Sequence, residues 1–355
     1  MEKRIVFRWV ILPWVASMLF AGSAFGIKQE NTTAAQKEGE QRLSVEQLQA
    51  WEKLGYGMFI HFGMSTFEGI ELSLGESPST FYNPVTVDVD QWIRTARDAG
   101  MKYAILTTKH VSGHCLWPSK YTDYTVETSG NKMDVVRAFV DACAKYGIMP
   151  GFYYCSWDNH HLMGSGTPTY VPWDDMYTTV EYEEFQWKQL EELLTQYGKI
   201  GEVWVDIPGI LSRDYRNRLY DQIARWQPDA FIVMNHGTGN GANFNVRYAW
   251  PTDVITIERF LPHSRLGYVK SRTIGGREYY LPGEVCEPIG KHWFFTENDP
   301  PRSDRELLGM YLVTRERGAN MLLNVPPDKN GVIPDIYVQA LMRLRDNIKL
   351  HDPSF

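Results

Sequence analysis

Eight short apolar runs recur along the chain, at residues 56–61, 103–107, 149–154, 202–206, 231–235, 254–258, 284–286 and 320–323. Between them lie stretches with helical periodicity, among them 89–99, 132–146 and 180–197, the last opening on acidic residues that suit a helix N-terminus. Strand-length runs alternating with amphipathic helices imply βα units around a parallel sheet. Eight is the strand number of a closed barrel, so the expected fold is α/β, a TIM-like (β/α)8 barrel of parallel strands over residues 43–355. An open doubly wound sheet uses the same units, and periodicity does not register closure.

The first 26 residues read as a secretory signal. Lys3, Arg4 and Arg8 make a basic start, an apolar run follows from Trp9 to Phe20, and small residues occupy 21–24. The run is shorter than the roughly 20 residues of a spanning helix and contains Pro13. No membrane insertion is expected after cleavage. Residues 27–42, rich in Gln, Glu and Thr, read as a flexible leader. Losing Glu2 and the three basic residues would move the formal charge from −7 to −9, which argues against nucleic acid as a partner. The 4 cysteines are scattered, form no CxxC pair, and read as buried thiols.

Polar residues cluster where the apolar runs end: His61, Thr107 to His110, Tyr154 and Trp157, Asp206, Asn235 and His236, and Glu258. In a β/α barrel that rim carries the active site. An aromatic fraction of 14% would suit a pocket that stacks on sugar faces, and glycosidic cleavage needs two carboxyl groups flanking the anomeric carbon. In Glu-Val-Trp-Val-Asp, strand alternation puts Glu202, Trp204 and Asp206 on one face, so an inward Asp206 with Trp204 as a flat wall is one reading. A helix cap or turn is the other. For the second carboxyl group both Glu258 and Glu284 stand open. Glu258 could equally pair with Arg259, and Glu284 could pin the loop after its Pro-Gly turn. His61, His110 and His114 could bond sugar hydroxyls; without an HExxH spacing no metal is expected. No Gly-x-Ser-x-Gly elbow, Walker loop or strand-linked GxGxxG occurs, so no cofactor is expected.

Six segments together resemble glycoside hydrolase family 29, the retaining α-L-fucosidases: WEKLGYGMFIHFG (51–63), YAILTTKHVSGHCLWPSKYTDY (103–124), DVVRAFVDACAKYGIMPGFYYCSWDNHH (134–161), EVWVDIPG (202–209), GEVCEPIGKHWFF (283–295) and RGANMLLNVPPDKNG (317–331). The resemblance implies a barrel that hydrolyses α-L-fucosides through a covalent fucosyl-aspartate, without a cofactor, acting on fucosylated glycans or oligosaccharides. It assigns the nucleophile to Asp206 and leaves Glu258 as the expected acid/base. His61, His110, His114, Tyr154, Trp157, Trp204, His236, Glu284 and Trp293 become the expected substrate contacts. Two departures bear on specificity. Many members carry adjacent histidines followed by Asp-Gly-Phe where this chain has His110, Val111, Ser112, Gly113 and His114. Many also carry Asn-Asp-Arg where Asn235, His236 and Gly237 stand, which removes an arginine. A related sugar such as an α-L-galactoside or a substituted fucose, or sugar binding without turnover, are therefore alternative expectations. Many relatives append a C-terminal β-sandwich; none is expected here.

Overall fold

The computed structural model describes residues 37–38, 41–164, 178–236, 239, 244–263, 268–352 and 355. The signal stretch 1–26, most of the 27–42 leader and Gly237 lie outside the described residues. The end of that leader is not loose. Lys37–Glu38 pairs as a strand with Arg277 and Glu278, and Arg42 forms an ion pair with Asp253. Gln41 is tied at both ends of its amide: it donates to the Tyr280 carbonyl (2.8 Å) and accepts from the Tyr280 N–H (2.9 Å). Polar composition suggested flexibility; backbone partners far along the chain remove it.

All eight expected strands form. They are β1 (Tyr56–Ile60), β2 (Tyr103–Lys109), β3 (Met149–Cys155), β4 (Glu202–Asp206), β5 (Phe231–Asn235), β6 (Ile255–Glu258), β7 (Gly283–Pro288) and β8 (Ala319–Asn324). Neighbours run β5-β4-β3-β2-β1-β8-β7-β6, every pair parallel. A parallel bridge between Val233 and Val254 joins the two ends, beside an Asp253 N–H donated to the Ile232 carbonyl at 2.8 Å. That seam makes the sheet a barrel and eliminates the open alternative.

Among the described residues seven long helices accompany the strands: α1 (Val45–Glu52), α2 (Val89–Asp98), α3 (Val135–Tyr146), α4 (Val180–Gln196), α5 (Arg213–Trp226), α6 (Asp304–Glu316) and α7 (Asp335–His351). Side chains of Ser44, Asp88, Asp134, Thr179, Ser212 and Ser303 accept N–H groups in the first turns of the first six, each cap contributing about 1 kcal/mol. The Asp134 cap is why α3 begins at Val135 and not at 132. Between β6 and β7 the chain forms a hairpin, Ser271–Ile274 against Arg277–Tyr280, instead of a helix. Gly275 and Gly276 at its tip have φ of 59° and 78°, which a two-residue turn of this hand demands.

Strand alternation divides the core into two layers. Phe59, Tyr103, Ile105, Tyr153, Cys155, Trp204 and Cys286 fill the barrel lumen, while Met58, Ile60, Phe152, Tyr154, Val203 and Val205 pack outward among the helices. The lumen is closed below by Trp51 of α1. Its indole N–H donates to Glu202 Oε2 (2.8 Å), the Trp204 indole donates to Glu202 Oε1 (2.7 Å), and the Tyr103 hydroxyl donates to Glu284 Oε1 (2.6 Å). Both glutamates are fully buried. Burial pushes Glu202 up to about 7. Burial, then the charge of Glu202, pushes Glu284 well above the carboxylate range. One proton shared between them avoids two buried like charges.

Candidate active site

Each strand delivers its last inward side chain to the same end of the barrel. Asp206, ending β4, accepts from the Tyr153 hydroxyl at Oδ2 (2.6 Å) and from the Asn235 amide at Oδ1 (2.7 Å). The same Asn235 nitrogen donates to Glu258 Oε2, at the end of β6, at 2.9 Å. The Thr256 hydroxyl donates to Asn235 Oδ1 (2.6 Å), which orients the amide with its N–H groups toward the two carboxylates. Laid end to end, the two bonds keep those carboxylate oxygens within about 5.6 Å, against the roughly 5–5.5 Å between carboxyl groups in retaining glycosidases.

The two acids are electrostatically unequal. Burial raises Asp206 above its ordinary value, opposed by the hydrogen bonds from Tyr153 and Asn235. Glu258 is pushed up to about 7, first by burial and then by the charge of Asp206, against the Asn235 bond and the nearby Arg259. A carboxylate beside a carboxylic acid poised near neutrality is the division of labour that acid/base chemistry requires.

Aromatic contacts close the ring around this pair. Tyr153 stacks on His110 (centroids 5.7 Å, 19°), and His110 meets His61 (5.8 Å) and Phe294 (4.9 Å). His61 lies against Trp293 (5.1 Å, 30°), and the Arg259 guanidinium covers the Trp293 ring at 4.6 Å. Arg259 directly follows Glu258 and has φ of 61°, a left-handed turn that swings the chain as it leaves β6. Asn324 Nδ2 donates to the Trp293 carbonyl (2.7 Å), leaving its Oδ1 to accept from His61 Nδ1 (2.7 Å). His61 Nε2 is then an acceptor. Burial, followed by the neighbouring His110, holds His61 well below the usual imidazole value, and burial holds His110 down to about 3. Both are neutral hydrogen-bonding rings. His110 Nδ1 is buried with no hydrogen-bond partner among the described residues.

A β-bulge aims His110. The pairing of β2 with β3 shifts between Thr107 and Lys109, so Lys109 turns out of the lumen and the next residue turns in. Lys109 donates to Asp158 Oδ2 (2.6 Å), both side chains fully buried, and lies 4.4 Å from the Tyr154 ring centroid. Burial would raise Asp158, but Lys109 and His161 hold it below the usual range. This ion pair clamps the segments after β2 and β3 that carry His110 and Trp157.

Asp206, Glu258, His61, His110 and Trp293 thus gather as expected, Trp157 packs against the same aromatic cluster, and Tyr154, His114, Glu284, Trp204 and His236 sit elsewhere. Tyr154 faces the helices and donates to Gln189 Oε1 (2.8 Å); its inward neighbour Tyr153 takes the place at the site. His114 packs between Tyr82 and Tyr124 with Nε2 on Ser129 Oγ (2.8 Å), outside the pocket cluster. Glu284 belongs to the barrel base, two residues before the Cys286 that pairs with Glu258 and so about 7 Å deeper. Trp204 is buried beneath the site with its N–H turned down to Glu202. His236 stacks on Tyr248 (4.6 Å) beside the turn at Gly209. Trp157 is half-buried after β3 and donates to Asn159 Oδ1 (2.6 Å). Among the described residues no three His, Cys, Asp or Glu side chains converge as metal ligands would.

The α-L-fucosidase family profile matches residues 75–351. The chain belongs to the α-L-fucosidase family. Alpha-L-fucosidase 1 of Arabidopsis thaliana is 32% identical over 310 residues, covering 84% of this chain and 58% of its own length. The chain therefore spans little more than half of that curated relative. Alpha-L-fucosidase isoenzyme 1 from Paenibacillus thiaminolyticus superposes with a TM-score of 0.72 at 28% identity, over 86% of this chain and 75% of that one. A glycoside hydrolase 29 family member from an unknown rumen bacterium superposes at 0.69 with 26% identity, over 86% of this chain and 56% of that one. Within this family barrel, sequence reading passed over Tyr153, Asn324, Phe294 and the bridging role of Asn235. Asn235 was visible as a polar strand ending; what it joins was not.

Proposed function

We propose that the protein is a retaining α-L-fucosidase with Asp206 as nucleophile and Glu258 as acid/base. The observation that carries this reading is the single Asn235 amide donated to both carboxylates, with Glu258 poised at about 7. An Asp206 oxygen attacks the anomeric carbon while Glu258 gives its proton to the departing glycosidic oxygen, so the C1–O bond breaks as the C1–Asp206 bond forms. Glu258, now ionised, takes a proton from water, whose oxygen displaces Asp206 from the same face that the leaving group vacated. His61 Nε2 and His110 Nδ1 supply neutral acceptors or donors for ring hydroxyls, and Trp293 backs His61 beneath the Arg259 guanidinium. The names of relatives support fucose as the sugar, and the two unequal carboxyl groups bridged by Asn235 support the mechanism.

Replacing Asp206 by Ala or Gly should lower turnover of an aryl α-L-fucoside by about 10⁴-fold or more, with partial recovery by azide. Near-normal turnover in either variant would overturn the assignment. NMR of the first-formed fucose should show the α anomer; the β anomer would exclude double displacement. A related sugar is the second reading, favoured by the packing of His114 on Ser129, which leaves the cluster with two histidines. A panel of aryl glycosides separates the two. Export by the N-terminal stretch is also proposed, and a mature N-terminus near residue 27 is the expected sequencing result.

A further inference from the structure

A cleft of about 480 Å3 opens beside α5 toward the N-terminal face of the barrel, lined by Thr252 and Asp253 ahead of β6 and Leu281 ahead of β7. Asp206 and Glu258 stand at the opposite strand ends. We propose that this cleft binds a neutral pyranose segment of a glycan, a second saccharide site separate from the catalytic mouth. The choice of glycan as ligand rests on the fucosidase reading; the chemistry of the cleft stands independently.

Its volume falls within the range of about 300–1,000 Å3 for small-molecule sites. Trp250 and Tyr279 meet edge to face, centroids 4.7 Å apart at 68°, and form an aromatic corner. Tyr220 adds a third ring, its hydroxyl donated to Asp253. The two-ended bond of Gln41 to the Tyr280 backbone holds the adjacent strand, so the corner is preorganised. Around it stand spare polar groups. Asn217 and Asp221, one helical turn apart on α5, are exposed, and neither makes a hydrogen bond among the described residues; nor do the Trp250 indole N–H and the Tyr279 hydroxyl. Arg42 Nε is buried without a partner among the described residues.

Flat apolar rings edged by unspent donors and acceptors match a pyranose, which presents C–H faces and hydroxyl edges. An apolar ligand would strand the polar groups. Among the described residues an anion finds no free cation there, because Arg42 is committed to the Pro228 and Ala230 carbonyls and to Asp253, and Asp221 would repel it. A second site holding the glycan body would raise the effective concentration of terminal residues at the mouth.

Calorimetric titration of the full-length protein with cellotetraose, mannotetraose and galactotetraose tests this. None carries fucose, so catalysis does not enter. At least one should bind with a Kd of about 1 mM or tighter. Asn217→Trp fills the cleft from an exposed helix position, and Trp250→Ala removes one wall; each should weaken binding by about tenfold or more. Turnover of an aryl α-L-fucoside should stay within about twofold of the parent in Asn217→Trp, which shows that the variant is folded. Absence of binding by all three, binding unchanged in Asn217→Trp, or displacement of the tetrasaccharide by free L-fucose would each overturn the proposal. A parent protein inactive on the aryl fucoside would sink the fucosidase reading while the calorimetry still decided the cleft.

Discussion

Asn235 shows how much one side chain can decide. Its amide touches both acids, and Glu258 stays protonated up to about 7 first because it is buried and then because Asp206 is charged beside it. In the proposed mechanism, activity requires Asp206 without its proton and Glu258 with one. The kcat/KM profile should be bell-shaped, falling on the alkaline side through about 7 and on the acid side through the raised pKa of Asp206. Glu258→Gln should abolish the alkaline limb, and the loss should be smallest for aryl fucosides whose leaving groups need no proton; an unchanged limb would transfer the acid role to another group. Tyr153 acts on the other carboxylate. Its hydroxyl bond to Oδ2 lowers the Asp206 pKa, so Tyr153→Phe should move the acid limb to higher pH and reduce kcat/KM by about 10- to 100-fold. Tyr154→Phe, altering an outward hydroxyl on Gln189, should leave the profile in place.

At the scale of elements, the aim of the site depends on strand phase. In β3 the adjacent pair Tyr153 and Tyr154 cannot both face the lumen, and composition does not say which does. Register with β4 decides, pairing Tyr153 with Trp204 and Cys155 with Asp206, all inward. In β2 the bulge before Lys109 reverses the alternation, sending a lysine into the helical layer and a histidine into the pocket. The lysine is tolerated there because Asp158 meets it in full burial. Lys109→Met would leave that carboxylate without its cation, at a cost of about 3–5 kcal/mol read by urea or thermal unfolding, and Lys109→Met with Asp158→Asn should recover part of it. A loss under about 1 kcal/mol in the single variant would mean the clamp does not hold these segments.

Across the whole molecule, two sets of acids occupy the two ends of one lumen. Glu202 and Glu284 at the base share a proton, and their folded pKa values lie above the ordinary glutamate value of about 4.3. Stability from the protonated pair is thus complete below that value and is lost as pH rises to about 7 and beyond. Glu284→Gln keeps an acceptor for Tyr103 and a donor for Glu202 without a titrating proton. Its melting temperature should match the parent in acid and exceed it in alkali; parallel curves would show that no proton is shared. Closure of the barrel makes both ends possible, since the β5–β6 seam brings Asn235 beside Glu258.

The sequence by itself determined the strands, their parallel βα arrangement, the family and the nucleophile candidate, because apolar periodicity and local motifs are properties of neighbouring residues. It also marked the rim, since polar residues at strand ends are visible as such. Only the tertiary structure separated Glu258 from Glu284, placing the first beside Asp206 and the second at the barrel base. Both follow strand-like runs, and their difference is depth along a barrel axis that no linear pattern records. Tyr153 over Tyr154 and the exile of His114 belong to the same class: each turns on register or on a distant packing partner. Long-range geometry chose among residues whose local signals were alike.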